Sequence, residues 1–323
     1  MQKLKQYLLD FWKEDFHLGY YLSAFLFVSL CIFLNYFYYP LTTGSSQTIE
    51  RALVSAFYFN RSLWCAPSFV LFYAVPYYVT TLLYYLWKKD SSFLKQPEFW
   101  TKSLLAIVLM SLDVASHLYQ DIAAFFKDTG EYYWVRKCLS TGTKYLYIGL
   151  PLFVYWYFRD KKEIPHFYGL TFKTFDWKPY LLLVVIILPF LFLASFQKQF
   201  TDYYPTLKWA GLDNFTWFPK TTAFAIYEAI YGFFFTWTEV MMRGFLVIGM
   251  IKVMGKNAVV PMAVMYAFRH FAKPWGETLS SVVGGYVLGA FAFKSRNVVG
   301  GVILHATVAV GMDVFALLHI LSR

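Results

Sequence analysis

The sequence predicts an all-α membrane protein that crosses the bilayer about eight or nine times. Of its 323 residues, 59% are hydrophobic and only 15% are charged, whereas a soluble domain carries about 25% charged residues. Several apolar runs reach the roughly 20 residues that a helix needs to cross a bilayer. Short stretches with Lys, Arg and Pro separate these runs. Because backbone polar groups must be satisfied within the segment in lipid, such runs are predicted to be helices.

Nine apolar segments are predicted to cross the membrane. The sixth exceeds one bilayer width, so it is predicted to tilt strongly or to break near Gly232 or at 236–238. The nine segments are 20–39, 68–87, 100–118, 145–158, 180–196, 221–254, 258–271, 277–293 and 299–318. They divide the chain into an N-terminal region of about four spans at 1–160, a basic cytoplasmic connector at 161–179 and a C-terminal core at 180–323.

The net charge of +10 is interpreted as a membrane feature, so no nucleic-acid partner is expected. The expected partner of the protein is the lipid bilayer. Lys3, Lys5 and Lys13 predict a cytoplasmic N-terminus. Counted from there, the connectors rich in Lys and Arg all fall on the cytoplasmic side of a multi-pass protein.

Ionisable residues inside apolar segments are the candidates for a functional site, because each costs about 3 kcal/mol or more in the bilayer. Glu228 and Glu239 are eleven residues apart, and Arg243 follows one turn later. On a continuous helix the three residues form one polar stripe, and Glu239 and Arg243 have the favourable order for an ion pair. The alternative for this pair is a purely structural role in helix packing.

Histidines and further carboxylates lie in the next segments. His270 ends the seventh segment and Glu277 opens the eighth, so they are predicted to face each other across a short hairpin. His305 lies inside the ninth segment, with Asp313 about two turns later. We expect these residues and the Glu239 segment to converge on one buried polar site. Asp113, His117 and Asp121 are predicted to share a face of the third segment and are interpreted as a packing cluster.

The residue types leave three kinds of chemistry open. A carboxylate base could activate a water, with one histidine orienting it and another stabilising the oxyanion. Glu239, His270 and His305 could instead hold a zinc ion, although no HExxH motif is present and no cofactor is expected. A proton or ion path without covalent chemistry is the third alternative, but no internal or inverted repeat typical of many carriers is evident.

The sequence resembles the CPBP family of intramembrane proteases, which includes CAAX proteases and bacteriocin-processing proteins. Glu239-Val240-Met241-Met242-Arg243-Gly244 is similar to the second half of the EExxxR-G motif. Tyr266 and His270 resemble the FxxxH motif, and His305 resembles the histidine of the third motif. The resemblance covers about 180–323 and implies a CPBP-like helical core. It further implies hydrolysis of a peptide bond by a water that Glu and His residues activate.

Two positions depart from the family pattern. Thr238 stands where the family has its first glutamate, and Ala309 stands where the third motif has asparagine. Glu228, Glu239, Glu277 and Asp313 are the acids that could substitute. Trp237-x-Glu239 and the stretch from His270 to Glu277 resemble a subgroup in which the acid has moved.

The expected function is that of an intramembrane endopeptidase acting on a peptide or a membrane protein. Its candidate catalytic residues are Glu239, His270, His305, Glu277, Arg243 and Glu228. The alternative is a catalytically inactive relative that binds or assembles with a membrane partner.

Overall fold

The computed structural model describes residues 2–43, 48–49, 52, 65–173 and 175–322. These residues are predominantly helical and contain no strand, which confirms the predicted all-α class. Five helical stretches within them are long and apolar enough to cross a membrane: 18–43, 67–88, 97–126, 220–268 and 299–321. Several long apolar helices fit a multi-pass membrane protein, whereas the finer count of eight or nine crossings is not established by length and composition.

The helices follow the predicted segments closely. The first part of the chain forms α1 (Gln2–Asp15), α2 (Leu18–Phe33), α3 (Tyr39–Thr43), α4 (Cys65–Lys88), α5 (Pro97–Ala115), α6 (Leu118–Ala123), α7 (Tyr132–Gly142) and α8 (Leu150–Tyr155). The second part forms α9 (Lys178–Ala194), α10 (Lys198–Tyr203), α11 (Lys220–Glu239), α12 (Ile251–Met254), α13 (Val259–Phe268), α14 (Trp275–Ser295) and α15 (Val299–Leu321). Single π-helical turns lie at Leu34–Tyr38, Tyr145–Gly149, Trp156–Asp160 and Val240–Phe245.

The chain divides into two compact units. Unit 1 contains 1–115, 154–171 and 240–298, and unit 2 contains 116–153, 172–239 and 299–323. Each unit takes segments from the predicted N-terminal region and from the predicted C-terminal core. The predicted division into 1–160, 161–179 and 180–323 stays a prediction.

In unit 1, α13 packs on α14 and on α4, and α1 packs on α14. Close approach of α13 and α14 depends on the Gly285 and Gly289 pair, whose spacing predicts close helix packing. A Cβ at Gly285 would lie 3.0 Å from the Tyr266 ring, and one at Gly289 would lie 2.6 Å from the Met262 methyl group. The small-xxx-small spacing is thus used where α14 faces α13.

In unit 2, α11 packs on α15 and α7, and α15 also packs on α9. The α11 face that meets α15 is aromatic, and Tyr227, Tyr231 and Phe235 form a row of rings at four-residue spacing. Gly300 lets α9 approach α15, because a Cβ there would overlap the Tyr180 ring.

The sixth predicted segment does break, but not where the sequence indicated. The regular α-helix α11 ends at Glu239, and the π-helical turn Val240–Phe245 follows. Gly232 lies in the middle of α11, where a Cβ would make only ordinary contacts with Val310 and Ala306. The predicted break near Gly232 or at 236–238 is therefore wrong by at least two residues, since neither position carries a backbone distortion.

Candidate functional site

Unit 2 joins Glu239, the last residue of α11, to His305 on α15. The His305 Nδ1 atom lies 3.0 Å from Glu239 Oε1. Glu239 is fully buried, and the His305 side chain is 11% exposed. A carboxylate that holds Nδ1–H fixes the imidazole tautomer and leaves the Nε2 lone pair available as a base. The pair therefore has the elements of a carboxylate-oriented general base.

Two neighbours shape this pair. A Cβ at Gly301 would lie 2.5 Å from Glu239 Oε2, so glycine leaves the space that the carboxylate fills. The Phe235 ring packs on the His305 ring with centroids 4.2 Å apart. Since Gly301 and His305 are one turn apart on α15, the same helix face supplies both the space and the base.

A second carboxyl pair lies further along the same two helices. The Glu228 carboxyl on α11 lies near the Asp313 carboxyl on α15, and both residues are buried. Asp313 accepts hydrogen bonds from the Thr206 N–H at 3.0 Å and from the Thr206 hydroxyl.

The two pairs are separate. Glu228 and Glu239 lie on one face of α11, as predicted, but eleven residues correspond to about 16 Å along the axis. The row of Tyr227, Tyr231 and Phe235 rings lies along this interval. Unit 2 therefore brings Glu239 to His305 and Glu228 to Asp313, and it does not bring Glu228 to His305.

Both departures from the family pattern are buried in unit 2. Ala309 is 1% exposed and belongs to an aromatic cluster that includes Tyr231 and Phe235. Thr238 is 6% exposed, and its hydroxyl has no hydrogen-bond partner within the part of the chain described. Neither residue supplies a carboxylate or an amide to the Glu239–His305 pair.

Unit 1 contains His270 and Glu277 on the turn that joins α13 to α14. The predicted hairpin contact is confirmed, with His270 Nε2 3.9 Å from Glu277 Oε1. The His270 Nδ1 atom lies 3.1 Å from the Tyr266 carbonyl oxygen, and Lys273 Nζ donates to Glu277 Oε1 at 2.6 Å. The carboxylate thus lies between an imidazole and an ammonium group.

Side chains from the first predicted span hold this turn, a contact that no spacing in the sequence predicts. The Tyr36 hydroxyl lies 3.0 Å from the His270 carbonyl oxygen and 2.8 Å from that of Lys273. Asn35, fully buried, donates from Nδ2 to the Phe271 carbonyl oxygen at 3.0 Å. Carbonyl groups that end a helix lack intrahelical partners, so these contacts satisfy them. The one available signal was the single amide side chain, Asn35, in an apolar run.

In unit 1, Arg243 is fully buried and Arg269 is half-buried. The Arg243 guanidinium carbon lies 4.1 Å from the centre of the Tyr266 ring, a distance typical of a cation–π contact. Arg269 Nη2 lies 3.4 Å from Asp113 Oδ2. The predicted common face of Asp113, His117 and Asp121 is wrong, because α5 ends at Ala115 and the next helix begins at Leu118. The predicted Glu239–Arg243 ion pair involves both units and stays a prediction.

Within either unit, no three His, Cys, Asp or Glu side chains of the described residues are grouped closely enough to hold a metal ion. The predicted convergence of Glu239, His270 and His305, with or without zinc, draws on both units and stays a prediction. Comparison with protein-family models, with curated proteins and with solved structures finds no match to this chain.

Proposed function

We propose that this protein is an intramembrane peptidase that hydrolyses a peptide bond in a membrane-associated or peptide substrate. The observation that carries the proposal is the 3.0 Å contact of buried Glu239 with His305 between two apolar helices. The resemblance to CPBP proteases, with Arg243, His270 and His305 at motif positions, supplies the reaction class.

The geometry of the pair gives the chemical step. Glu239 accepts a hydrogen bond from the Nδ1–H group of His305 and orients the ring, and Nε2 then takes a proton from water. The hydroxide adds to the carbonyl carbon of the substrate. The imidazolium returns its proton to the departing amide nitrogen, so the base is regenerated. The roles of His270, Glu277 and Arg243 follow only from the resemblance, and that of Glu228 is weakened by its distance from His305.

Cleavage by purified protein in detergent tests the proposal. A library of soluble and transmembrane peptides would be incubated with the protein and the products identified by mass spectrometry. We expect Glu239→Gln and His305→Ala each to reduce cleavage at least about 100-fold, the size of a general-base contribution. His319→Ala is the matched control, because His319 lies on the same helix and hydrogen-bonds Ser195 at 2.8 Å instead. Full activity in both test variants would contradict the proposal.

A non-catalytic role is the second candidate, and Thr238 and Ala309 favour it. With Ala309 inside an aromatic cluster, its position offers no amide donor for an oxyanion. On this reading the protein binds a peptide or a membrane partner without turnover. Cleavage gained by the double variant Thr238→Glu with Ala309→Asn, and absent from the wild type, would support it.

Contacts inside each unit support nine membrane crossings and not five. Residues in contact at a membrane surface lie on one side, so the chain between them crosses an even number of times. Lys102, near the start of candidate span 97–126, lies 3.0 Å from Asp160, which supports a second crossing at 145–158. Asn297 donates to the Thr171 carbonyl oxygen at 2.7 Å, so these two residues lie on the same side of the membrane. A single crossing by 220–268, the one candidate span between them, would place them on opposite sides.

Between Thr171 and Asn297 the chain then crosses four times, an even number, through the predicted segments 180–196, 221–254, 258–271 and 277–293. The bond from the Thr216 hydroxyl to Glu131 at 2.6 Å likewise requires that 145–158 and α9 both cross or that neither does. We therefore propose nine crossings with a cytoplasmic N-terminus, in agreement with the distribution of lysine and arginine.

A further inference from the structure

A polar pocket of about 730 Å³ lies in unit 1, away from the residues assigned to hydrolysis. It is lined by the first turn of α5, from Pro97 to Thr101, and by most of the stretch 155–163. Its charged lining residues are the acids Glu98, Asp160 and Glu163 and the bases Arg159, Lys161 and Lys162. The charge that the pocket offers to a ligand depends on which of these groups already have partners.

The three acids contact two lysines outside the lining, Lys102 and Lys252. Lys102, only 1% exposed, contacts Glu98 and lies 3.0 Å from Asp160 Oδ2. The Asp160 carboxylate also accepts a hydrogen bond from the Tyr168 hydroxyl at 2.8 Å. Glu163 pairs with Lys252 at 2.5 Å. This contact lowers the pKa of Glu163, so its charge is present at neutral pH and is compensated.

The three bases are exposed and form no ion pair within the described part of the chain. Lys161 Nζ lies 4.4 Å from the centre of the Tyr157 ring, a cation–π contact that leaves its charge in place. The Arg159 side chain lies near Tyr155. Lys102, Lys252 and the three lining bases together outnumber the three acids by two charges, so the pocket presents a surplus of positive charge and selects an anion.

The position of the pocket indicates which anion. Pro97 begins a candidate membrane span, so the pocket lies where that helix enters the bilayer. Tyr157 and Phe158 on its wall are 51% and 75% exposed. Exposed aromatic rings beside lysine and arginine are typical of the headgroup level of a membrane.

We propose that this pocket binds the phosphate of an anionic membrane phospholipid. Arg159 and Lys162 contact the phosphate, and Tyr157 and Phe158 lie along the upper part of the acyl chains. The planar guanidinium matches two phosphate oxygens, whereas the ammonium acts as a point charge. The inference does not depend on peptidase activity.

Thermal unfolding of the full chain in detergent tests the assignment. Phosphatidylglycerol should raise the Tm of the wild type, and phosphatidylcholine at the same concentration should raise it much less. In the double variant Arg159→Gln with Lys162→Gln, each substitution removes one charge interaction with the anionic lipid. We therefore expect phosphatidylglycerol to bind the double variant about 30-fold more weakly than the wild type. The Tm increase should shrink accordingly, and Arg159→Lys with Lys162→Arg should retain most of it.

The matched control is Lys89→Gln with Lys95→Gln, which removes two exposed charges from unit 1 outside the pocket. This variant should respond to phosphatidylglycerol as the wild type does. An equal Tm increase in the Arg159 and Lys162 double variant would overturn the site. Equal stabilisation of the wild type by phosphatidylcholine would overturn the selectivity, and equal stabilisation by inorganic phosphate would overturn the lipid in favour of a soluble phosphate ligand.

Discussion

At the scale of single residues, the Glu239–His305 contact depends on the absence of a side chain at position 301. A methyl group at Gly301 would lie 2.5 Å from Glu239 Oε2. The carboxylate is fully buried, so it cannot relieve this contact by turning towards solvent. We expect Gly301→Ala to displace the carboxylate and weaken its bond to His305. A hydrogen bond to a charged group contributes about 1.5–3 kcal/mol, and alanine returns about 1 kcal/mol of helix propensity. The free energy of unfolding in detergent should fall by about 1 kcal/mol.

Gly284→Ala provides the comparison for that substitution. Gly284 also lies inside a helix, but a Cβ there would have no heavy atom within 4 Å. The same helix-propensity gain then acts alone, so the free energy of unfolding should rise by up to about 1 kcal/mol. If both variants were stabilised equally, the close packing of Gly301 on Glu239 would be wrong.

The contacts that the sequence could predict are those within a short stretch of chain. The sequence predicts that His270 and Glu277 meet because they lie seven positions apart across a turn at Pro274. The partner of Glu239 could not be found in this way, since spacing along one helix suggests Arg243 and says nothing about the register of α11 against α15. His305 lies 66 residues further along the chain, and only packing of the two helices brings it to 3.0 Å.

At the scale of elements, the hydrophobic runs predict where the helices lie but not where they are distorted. The run 221–254 is too long for one crossing, which predicted a break without its position. The π-helical turn at Val240–Phe245 contains Gly244, where a Cβ would lie 2.8 Å from the Tyr168 carbonyl oxygen. That approach comes from a segment about 75 residues earlier in the sequence. A tertiary contact of this kind leaves no periodic signal.

The link between α7 and the segment before α11 should be pH-dependent. Glu131, at the start of α7, accepts hydrogen bonds from the Thr216 hydroxyl at 2.6 Å and N–H at 3.1 Å, which lower the pKa of its carboxyl group. A lowered pKa means that the folded state favours the carboxylate. The stabilisation is therefore present above the unfolded pKa of about 4.3 and is lost as the pH falls.

Glu131→Gln should lower the Tm at pH 7, and the difference from the wild type should shrink as the pH falls below about 4. Asp128→Asn is the control, because Asp128 is exposed three residues away. The measurement is thermal unfolding in detergent as a function of pH. A constant difference between wild type and Glu131→Gln across this range would show that ionisation of Glu131 does not contribute.

At the scale of the whole molecule, five and nine crossings make opposite predictions for one exposed residue. Five spans place the whole stretch 127–219 on a single side, because none of them lies within it. Nine crossings place Lys127 and Lys198 outside and Lys162 inside, because 145–158 and 180–196 cross between them. The contact of Asp160 with Lys102 supports the second arrangement. Lys162 therefore distinguishes the two counts.

Labelling of intact cells with a membrane-impermeant maleimide measures this directly. Cys31, Cys65 and Cys138 would first be replaced by serine, and single cysteines introduced at exposed lysines. Lys127→Cys and Lys198→Cys should be labelled, whereas Lys95→Cys and Lys162→Cys should react only after permeabilisation. Labelling of Lys162→Cys in intact cells, with Lys95→Cys still protected, would contradict nine crossings. It would show that 145–158 does not cross the membrane between Lys102 and Asp160. Inversion of all four results would keep the nine crossings and place the N-terminus outside, since the lysine distribution fixes orientation and not number.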